Sequence, residues 1–340
     1  MAIYRSATCS FDLTQRVSKY QFLDEVLAGL SRSPKVIPSK YFYDELGSAL
    51  FDRICDLPEY YLTRTELAIM CEYAGEMGEA LGSHCLLIEY GSGSSVKTPL
   101  LIEALEHPAG YVPVDISREH LYSSANRLAR RFPNLDINPV WADFTEPFEL
   151  PRADREMRRA VVYFPGSTIG NFTPEEAAKL MKDMAQLVGP DGALLIGVDV
   201  RKPAAIVEPA YNDRAGVTAD FNLNLLARIN RELDGRFNLD SFEHRAFFDE
   251  EHSRIEMHLV SKKKQVVRIG RAAISFNEGE STRTEYSHKY CPEHFARLAR
   301  QAGFEVRKVW MDDQRLFSVQ YLTVADSSAN REAPKTVPTR

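Results

Sequence analysis

The 340-residue chain is poor in the features that mark several large classes of protein. It has five cysteines, at positions 9, 55, 71, 85 and 291, and no two form a Cys-x-x-Cys pair. Neither a zinc site nor a thioredoxin-like motif can be read from that spacing. Reduced thiols are expected, with Cys85 buried as a small apolar residue at the head of a strand. No apolar run approaches the ~20 residues of a membrane-spanning helix, so no membrane segment is expected. The N-terminus "MAIYRSATCSFDL" lacks the apolar stretch of a secretion signal, which makes a cytoplasmic protein the expectation. Basic residues are not in excess, since the formal net charge is −6. A nucleic-acid partner would call for a basic face. The one basic run, "SKKKQVVRIGR" at 261–271, reads as a strand edge guarded by lysines. There is no Pro-Pro anywhere, which argues against the Asn- or Asp-Pro-Pro-aromatic motif of amino-directed nucleic-acid methyltransferases.

What is present is an alternation of strands and helices. Continuous apolar runs at 85–90, 110–117, 136–144, 160–167 and 192–200 read as strands buried on both faces. Helices are expected around 96–105, at 118–132 and after Thr173. An earlier helix is expected over 65–81, capped by Thr63 or Thr65. This is the pattern of an α/β protein with an open, mostly parallel sheet. The alternation breaks at 202–289, where other helices and strands intervene. It resumes with a helix at 292–304 and two closing strands that form a hairpin turning near Gln314. The expected organisation is therefore an N-terminal segment (1–60), a core (61–201), an insertion (202–289), the rest of the core (290–325) and a disordered tail (326–340).

The residues at the strand ends carry the chemistry. After the first strand comes "EYGSGSSVK" (89–97), where Gly91 and Gly93 allow a sharp turn and a close ligand. A dinucleotide fingerprint would need glycine at 96, but Val96 stands there. The ligand expected is a nucleoside without a pyrophosphate. The second strand ends in Asp115, placed to bind ribose hydroxyls. The third ends in Asp143-Phe144, suited to an adenine amino group and its ring. Ligands of such sheets bind beyond the carboxyl ends of the strands. Together these ends point to S-adenosylmethionine in a class I (Rossmann-like) methyltransferase core. The fourth strand runs into "FPGSTIGNF" (164–172). That is more glycine and small polar residues than a turn needs. Asn171 there offers two donors and an acceptor to a substrate.

Longer stretches agree with one family. "KYFYDELGSALFDRICDLPEYYLTRTE", "YGSGSSVKT", "FPGSTIGNF", "AYNDRAGVTADFNLNLLARINREL", "RIEMHL" and "TEYSHKY" resemble the histidine-specific Nα-methyltransferases of ergothioneine biosynthesis, over about residues 20–325. The departures are small: Tyr90 stands where leucine is common and Pro99 where arginine is frequent. The resemblance implies a mostly parallel seven-stranded sheet and an inserted α+β substrate-binding domain. It places the cofactor against Tyr43, Gly91, Gly93, Lys97, Asp115, Asp143 and Phe144. It gives Tyr43 and Asn171 the catalytic, orienting positions. The carboxylate of L-histidine would meet Asn171 and Tyr211. Its amino group would lie near Tyr43, Gly166 and Asn171. Its imidazole would be read by Tyr60, Glu285 and Ser287, with Met257 lining the pocket. No metal is implied, and a monomer is expected. Two alternatives stay open: N-methylation of another free amino acid such as tryptophan, or a cofactor-binding module without turnover.

Overall fold

The computed structural model describes residues 19–93, 96–152 and 155–325. The tail expected to be disordered, 326–340, lies outside the described residues. In chain order the strands are β1 (Lys35–Val36), β2 (Cys85–Tyr90), β3 (Gly110–Asp115), β4 (Val140–Trp141), β5 (Arg159–Phe164), β6 (Ala193–Asp199), β7 (Phe242–Asp249), β8 (Arg254–Ser261), β9 (Gln265–Ile269), β10 (Ala272–Phe276), β11 (Ser281–His288), β12 (Phe304–Met311) and β13 (Phe317–Val324). The helices are α1 (Lys19–Leu30), α2 (Glu45–Cys55), α3 (Tyr61–Leu81), α4 (Thr98–Ala104), α5 (Arg118–Arg131), α6 (Pro174–Val188), α7 (Ala204–Val207), α8 (Val217–Leu233) and α9 (Pro292–Gln301).

Seven strands form the main sheet in the order β12-β13-β6-β5-β2-β3-β4. All neighbours from β4 to β6 are parallel, and β13 is antiparallel to both β6 and β12. The strand order reverses between β2 and β5, the switch point where such sheets bind ligands. Alternation along β2 shows why these strands read as unbroken apolar runs. Cys85 and Leu87 join the core beneath α3 and α4, whereas Leu86, Ile88 and Tyr90 join the core beneath α6 and α9. Both faces are covered, so both sets of side chains are apolar.

Two expectations need correction. The third strand is short, Val140–Trp141, with one isolated bridge from Ile137 to Tyr111. Pro139 offers no N–H, so regular pairing does not run through 136–144. The helix expected over 65–81 begins four residues earlier, at Tyr61, so Thr63 and Thr65 lie inside it and cap nothing. Tyr61 is pinned there by its hydroxyl, which donates to Asp199 at 2.7 Å.

The insertion leaves and rejoins the sheet at one point, since Val200 bridges to Tyr290 beside the end of β6. It builds a second sheet, β1-β11-β8-β7, against which α8 packs Phe221, Leu225 and Ile229. β1 comes from the N-terminal segment and runs parallel to β11. The basic run ends β8, leaves Lys262, Lys263 and Lys264 exposed in a turn, and enters the β9–β10 hairpin.

Candidate active site

The carboxyl ends of β2, β3, β4 and β5 open into a cleft of about 850 Å³. Gly91 and Gly93 follow β2 at φ of 71° and 38°, a region that side chains disfavour. Their bare main chain forms part of the cleft wall. Asp115 ends β3. One of its oxygens accepts the Gly93 N–H at 3.0 Å and the other accepts the Ser117 N–H at 2.8 Å. Burial raises its pKa, and those backbone donors oppose the rise. Each oxygen keeps lone pairs for a ligand's hydroxyl groups. Asp143, after β4, accepts from Thr145 N at 2.9 Å and from the Lys40 ammonium at 3.2 Å. Phe144 stacks on Tyr90, with centroids 5.1 Å apart and planes at 23°. The residue that departs from the family pattern thus backs the ring expected to meet the adenine. Pro99, the other departure, sits in the first turn of α4, where a missing N–H costs little.

The stretch "FPGSTIGNF" is explained by three demands on its backbone. Gly166 and Ser167 are both left-handed, with φ of 76° and 57°. The turn they make points the Gly166 N–H at the buried Glu66 carboxylate, 2.9 Å away. The Ser167 hydroxyl accepts the Asp199 N–H at 2.9 Å and ties β5 to the end of β6. Gly170 lies against β11, and a β-carbon there would stand 2.7 Å from the His288 carbonyl oxygen. Thr173 then opens α6 in a capping box with Glu176. Only Asn171 is left without such a task. Its side chain has no hydrogen-bond partner among the described residues and lines the cleft. Lys97 also lines the cleft, but its ammonium is paired with Glu66. Through that carboxylate it ties the β2–α4 loop to Gly166.

At the inner end of the cleft is a second, smaller cavity of about 40 Å³. Tyr43, Tyr60, Gly166, Asn171, Tyr211, Met257, Glu285 and Ser287 all line it. They come from the N-terminal segment, the β5–α6 turn and the insertion. A bulge between Arg283 and Glu285 shifts the β11 register. Thr284 is the extra residue, and its hydroxyl donates to Asn222 at 2.8 Å. Beyond the bulge Glu285 stands opposite Met257 of β8. Glu285 and Ser287 alternate along β11 and so share a face. Glu285 has no hydrogen-bond partner among the described residues. Burial pushes its pKa up to about 7, against a pull from the Lys289 ammonium. Burial also holds the Tyr43 and Tyr60 hydroxyls well above the ordinary tyrosine range. Tyr43 is therefore a hydrogen-bonding group at neutral pH and not a base.

A carboxyl whose pKa rises on folding adds stability below its unfolded value, and that contribution is lost as the pH climbs through the folded value. Above about pH 7, ionised Glu285 therefore weighs against the fold. Glu285→Gln is expected to raise the urea midpoint at about pH 8.5 and to leave it nearly unchanged at about pH 4. An equal shift at both would mean that the carboxylate is not the cause.

Behind the inner pocket lies a buried ionic network that sequence reasoning missed. Lys289 donates to Asp199 at 2.8 Å, to Ser287 at 2.8 Å and to Tyr211 at 3.0 Å. Lys202 pairs with the same Asp199 and donates to Tyr61 at 2.8 Å. His244 faces the Tyr211 carbonyl at 2.8 Å through Nε2 and Asn222 at 2.9 Å through Nδ1. Glu66 and Lys40 were missed as well. The one sequence signal was the pair of lysines flanking the strand end and "TEYSHKY", which lie 87 positions apart and meet only in space.

A parallel sheet that reverses at β2 and β5, a single antiparallel strand next to its edge, and acidic residues at two strand ends define a class I methyltransferase. A family model described as histidine-specific, S-adenosylmethionine-dependent methyltransferase matches residues 22–324. The chain belongs to that family. It is 40% identical over 295 residues to the histidine N-alpha-methyltransferase of Mycobacterium tuberculosis, covering 85% of this chain and 90% of that one. The enzyme of the same name from Mycolicibacterium smegmatis is 40% identical over 294 residues, with the same coverage. Ergothioneine biosynthesis protein 1 of Neurospora crassa is 31% identical over 285 residues, which are 82% of this chain but 32% of that protein. The cofactor of the family is S-adenosylmethionine. The cleft fits it: two bare glycines and a carboxylate with free lone pairs suit a nucleoside, and Val96 in place of a third glycine suits one without a pyrophosphate.

Proposed function

We propose that the protein transfers three methyl groups to the α-amino group of L-histidine, giving Nα,Nα,Nα-trimethylhistidine (hercynine), the first step of ergothioneine biosynthesis. The observation that carries this reading is the inner pocket, where a carboxylate without a partner (Glu285) and an amide without a partner (Asn171) border one small cavity. A free amino acid with a polar ring has groups for both. In this reading residues 1–60 and 202–289 form the substrate-binding domain. The enzyme acts as a monomer in the cytoplasm. Among the described residues no helix is long and apolar enough to cross a membrane.

Tyr43, Gly91, Gly93, Lys97, Asp115, Asp143 and Phe144 would hold S-adenosylmethionine, which supplies a methyl group on a positively charged sulfur. The rest of the work is alignment by the chain. Asn171 and Tyr211 hold the α-carboxylate. Gly166, with no side chain, lets the amine approach the floor, and Tyr43 and Asn171 direct its lone pair. Tyr60, Glu285 and Ser287 fix the ring, with Met257 against its apolar edge. Holding reacting atoms at ~3–3.5 Å in line supplies most of the rate gain in such a displacement. The ring faces of Tyr43 and Tyr60 suit a nitrogen that gains permanent charge, since cation–π contacts are worth ~0.5–2 kcal/mol.

The test is a panel of the twenty amino acids, each incubated with S-adenosylmethionine and followed by mass. A gain of three methyl groups on histidine alone is the expected result. Methylation of tryptophan or another amino acid would sink the substrate assignment and keep the fold. Cofactor binding with no methylation would favour a binding module.

A further inference from the structure

The three N–H groups of Lys289 are all spent, on Asp199, Tyr211 and Ser287. It offers the pocket nothing directly. It fixes Tyr211 and Ser287 as acceptors instead. Those two hydroxyl oxygens stand 2.8 Å apart, so one must donate to the other. Two protons less the one spent between them leaves one. When Tyr211 donates to Ser287, Ser287 offers a proton to the pocket. When Ser287 donates to Tyr211, Tyr211 offers the proton and Ser287 shows only a lone pair. Both line the inner cavity, so a ligand there decides between the two states.

We propose that the ligand's α-carboxylate takes this single proton from Tyr211, so that the site binds the histidine side chain with one proton more than neutral imidazole and ionised Glu285 hold between them. The inference rests on the histidine reading above. A carboxylate is the stronger claimant, because hydrogen bonds to an ionised acceptor are roughly twice as strong as neutral ones. Ser287 is then an acceptor, and Glu285 is an acceptor two residues away on the same face of β11. A ring with both nitrogens facing oxygen acceptors needs a proton on each line of contact. The nitrogen at Ser287 carries its own. The proton between the other nitrogen and Glu285 makes either an imidazolium–carboxylate pair or an imidazole–carboxylic acid pair. The count is the same for both.

The surrounding groups leave Glu285 as the partner for that proton. Lys289 faces it from the end of β11, Tyr43 from the N-terminal segment, Tyr60 from the start of α3 and Tyr211 from the segment after α7. Burial raises all three phenols above their ordinary value, so they keep their protons near neutrality. Lys289 is held charged by Asp199. Lys289 is thus a positioning residue, acting on the ligand through two hydroxyl groups.

The test is a calorimetric titration of the protein, saturated with S-adenosylhomocysteine, by Nα,Nα,Nα-trimethylhistidine. Buffers of different ionisation enthalpy count the protons exchanged, and this ligand has no titrating amine. At about pH 8.5 the free ring is neutral and free Glu285 is ionised, so uptake of about one proton per ligand is expected. The Kd should then rise about tenfold per pH unit. Tight binding with uptake near zero and a flat Kd overturns the inference and leaves the functional reading standing. In Tyr211→Phe, Ser287 has no hydroxyl to donate to and turns its proton to the ring. Uptake there should fall toward zero while binding weakens, whereas a variant that still takes up one proton contradicts the mechanism. The parent count decides the matter even when that variant does not fold. Failure to bind trimethylhistidine, together with failure to methylate histidine, overturns the histidine reading and this inference with it.

Discussion

Glu285→Ala is expected to erase much of the preference for histidine over phenylalanine or tryptophan. A site built to hydrogen-bond a polar group rejects analogues that leave its own groups unpaired, by ~10⁴-fold in favourable cases. In the free protein Glu285 faces the cavity with no partner among the described residues, and burial has already raised its pKa to about 7. A phenyl or indole ring would leave that carboxyl desolvated and unmatched, at a cost of about 1–3 kcal/mol or more for a charged group. Alanine removes the unmatched group and opens space beside Met257. The measurement is the ratio of kcat/KM for histidine to that for each aromatic amino acid, in parent and variant. A fall of two or more orders of magnitude is the expectation. Equal ratios would assign selectivity elsewhere in the pocket.

Asp199→Ala is expected to be the most damaging single change to stability. Asp199 is fully buried at the end of β6, and the ammonium groups of Lys202 and Lys289 both converge on it. Neither lysine reaches water, since their side chains are 4% and 0% exposed. Removing one partner of a buried ion pair costs ~3–5 kcal/mol, because the remaining charge is left uncompensated. Here two charges lose their partner together, so the loss should lie at or above the top of that range. A urea titration at fixed pH reads it as a fall in midpoint at constant slope. Asp199→Asn, which keeps an oxygen acceptor, should lose less. A midpoint within error of the parent for alanine would mean that the lysines find water or another acceptor. The same variant should impair histidine binding, because Lys289 would no longer be fixed against Tyr211 and Ser287.

How much of this was legible depended on whether a residue's task is local. The strands of the main sheet are continuous apolar runs because both faces are covered, and that can be seen without a structure. Glycine after a strand and aspartate at its end are likewise local signals. Gly91, Gly93, Asp115 and Asp143 could therefore be placed at the cleft from their positions alone. The inner pocket was legible only through the family resemblance, since Tyr43, Tyr211 and Glu285 lie far apart in the chain. The second layer was not legible at all. Glu66 looked like one more charge on a helix, yet it is fully buried, holds the Gly166 N–H and pairs with Lys97. Lys289 looked like a solvated end of "TEYSHKY". What a buried charge does is set by its partner, and these partners lie on other elements. The early start of α3 was missed for the same reason. The threonines offered a plausible local cap, while the anchor of the helix is a contact from Tyr61 to Asp199, 138 positions away.

The short strand β1 has a consequence for how the molecule is made. Lys35 pairs with Thr282 and Val36 with Arg283, partners about 250 residues apart. Tyr43 and Tyr60, which follow β1, face residues that leave the ribosome only after most of the chain has been translated. The strands from β2 to β6 can assemble from neighbours already made. The inner pocket must wait for β11, and the N-terminal segment must stay unsettled until then. A nascent chain thus gains its cofactor cleft first and its substrate pocket last. Premature termination before residue 281 would leave the strand ends of the sheet in place and no chamber in which to present an amino acid.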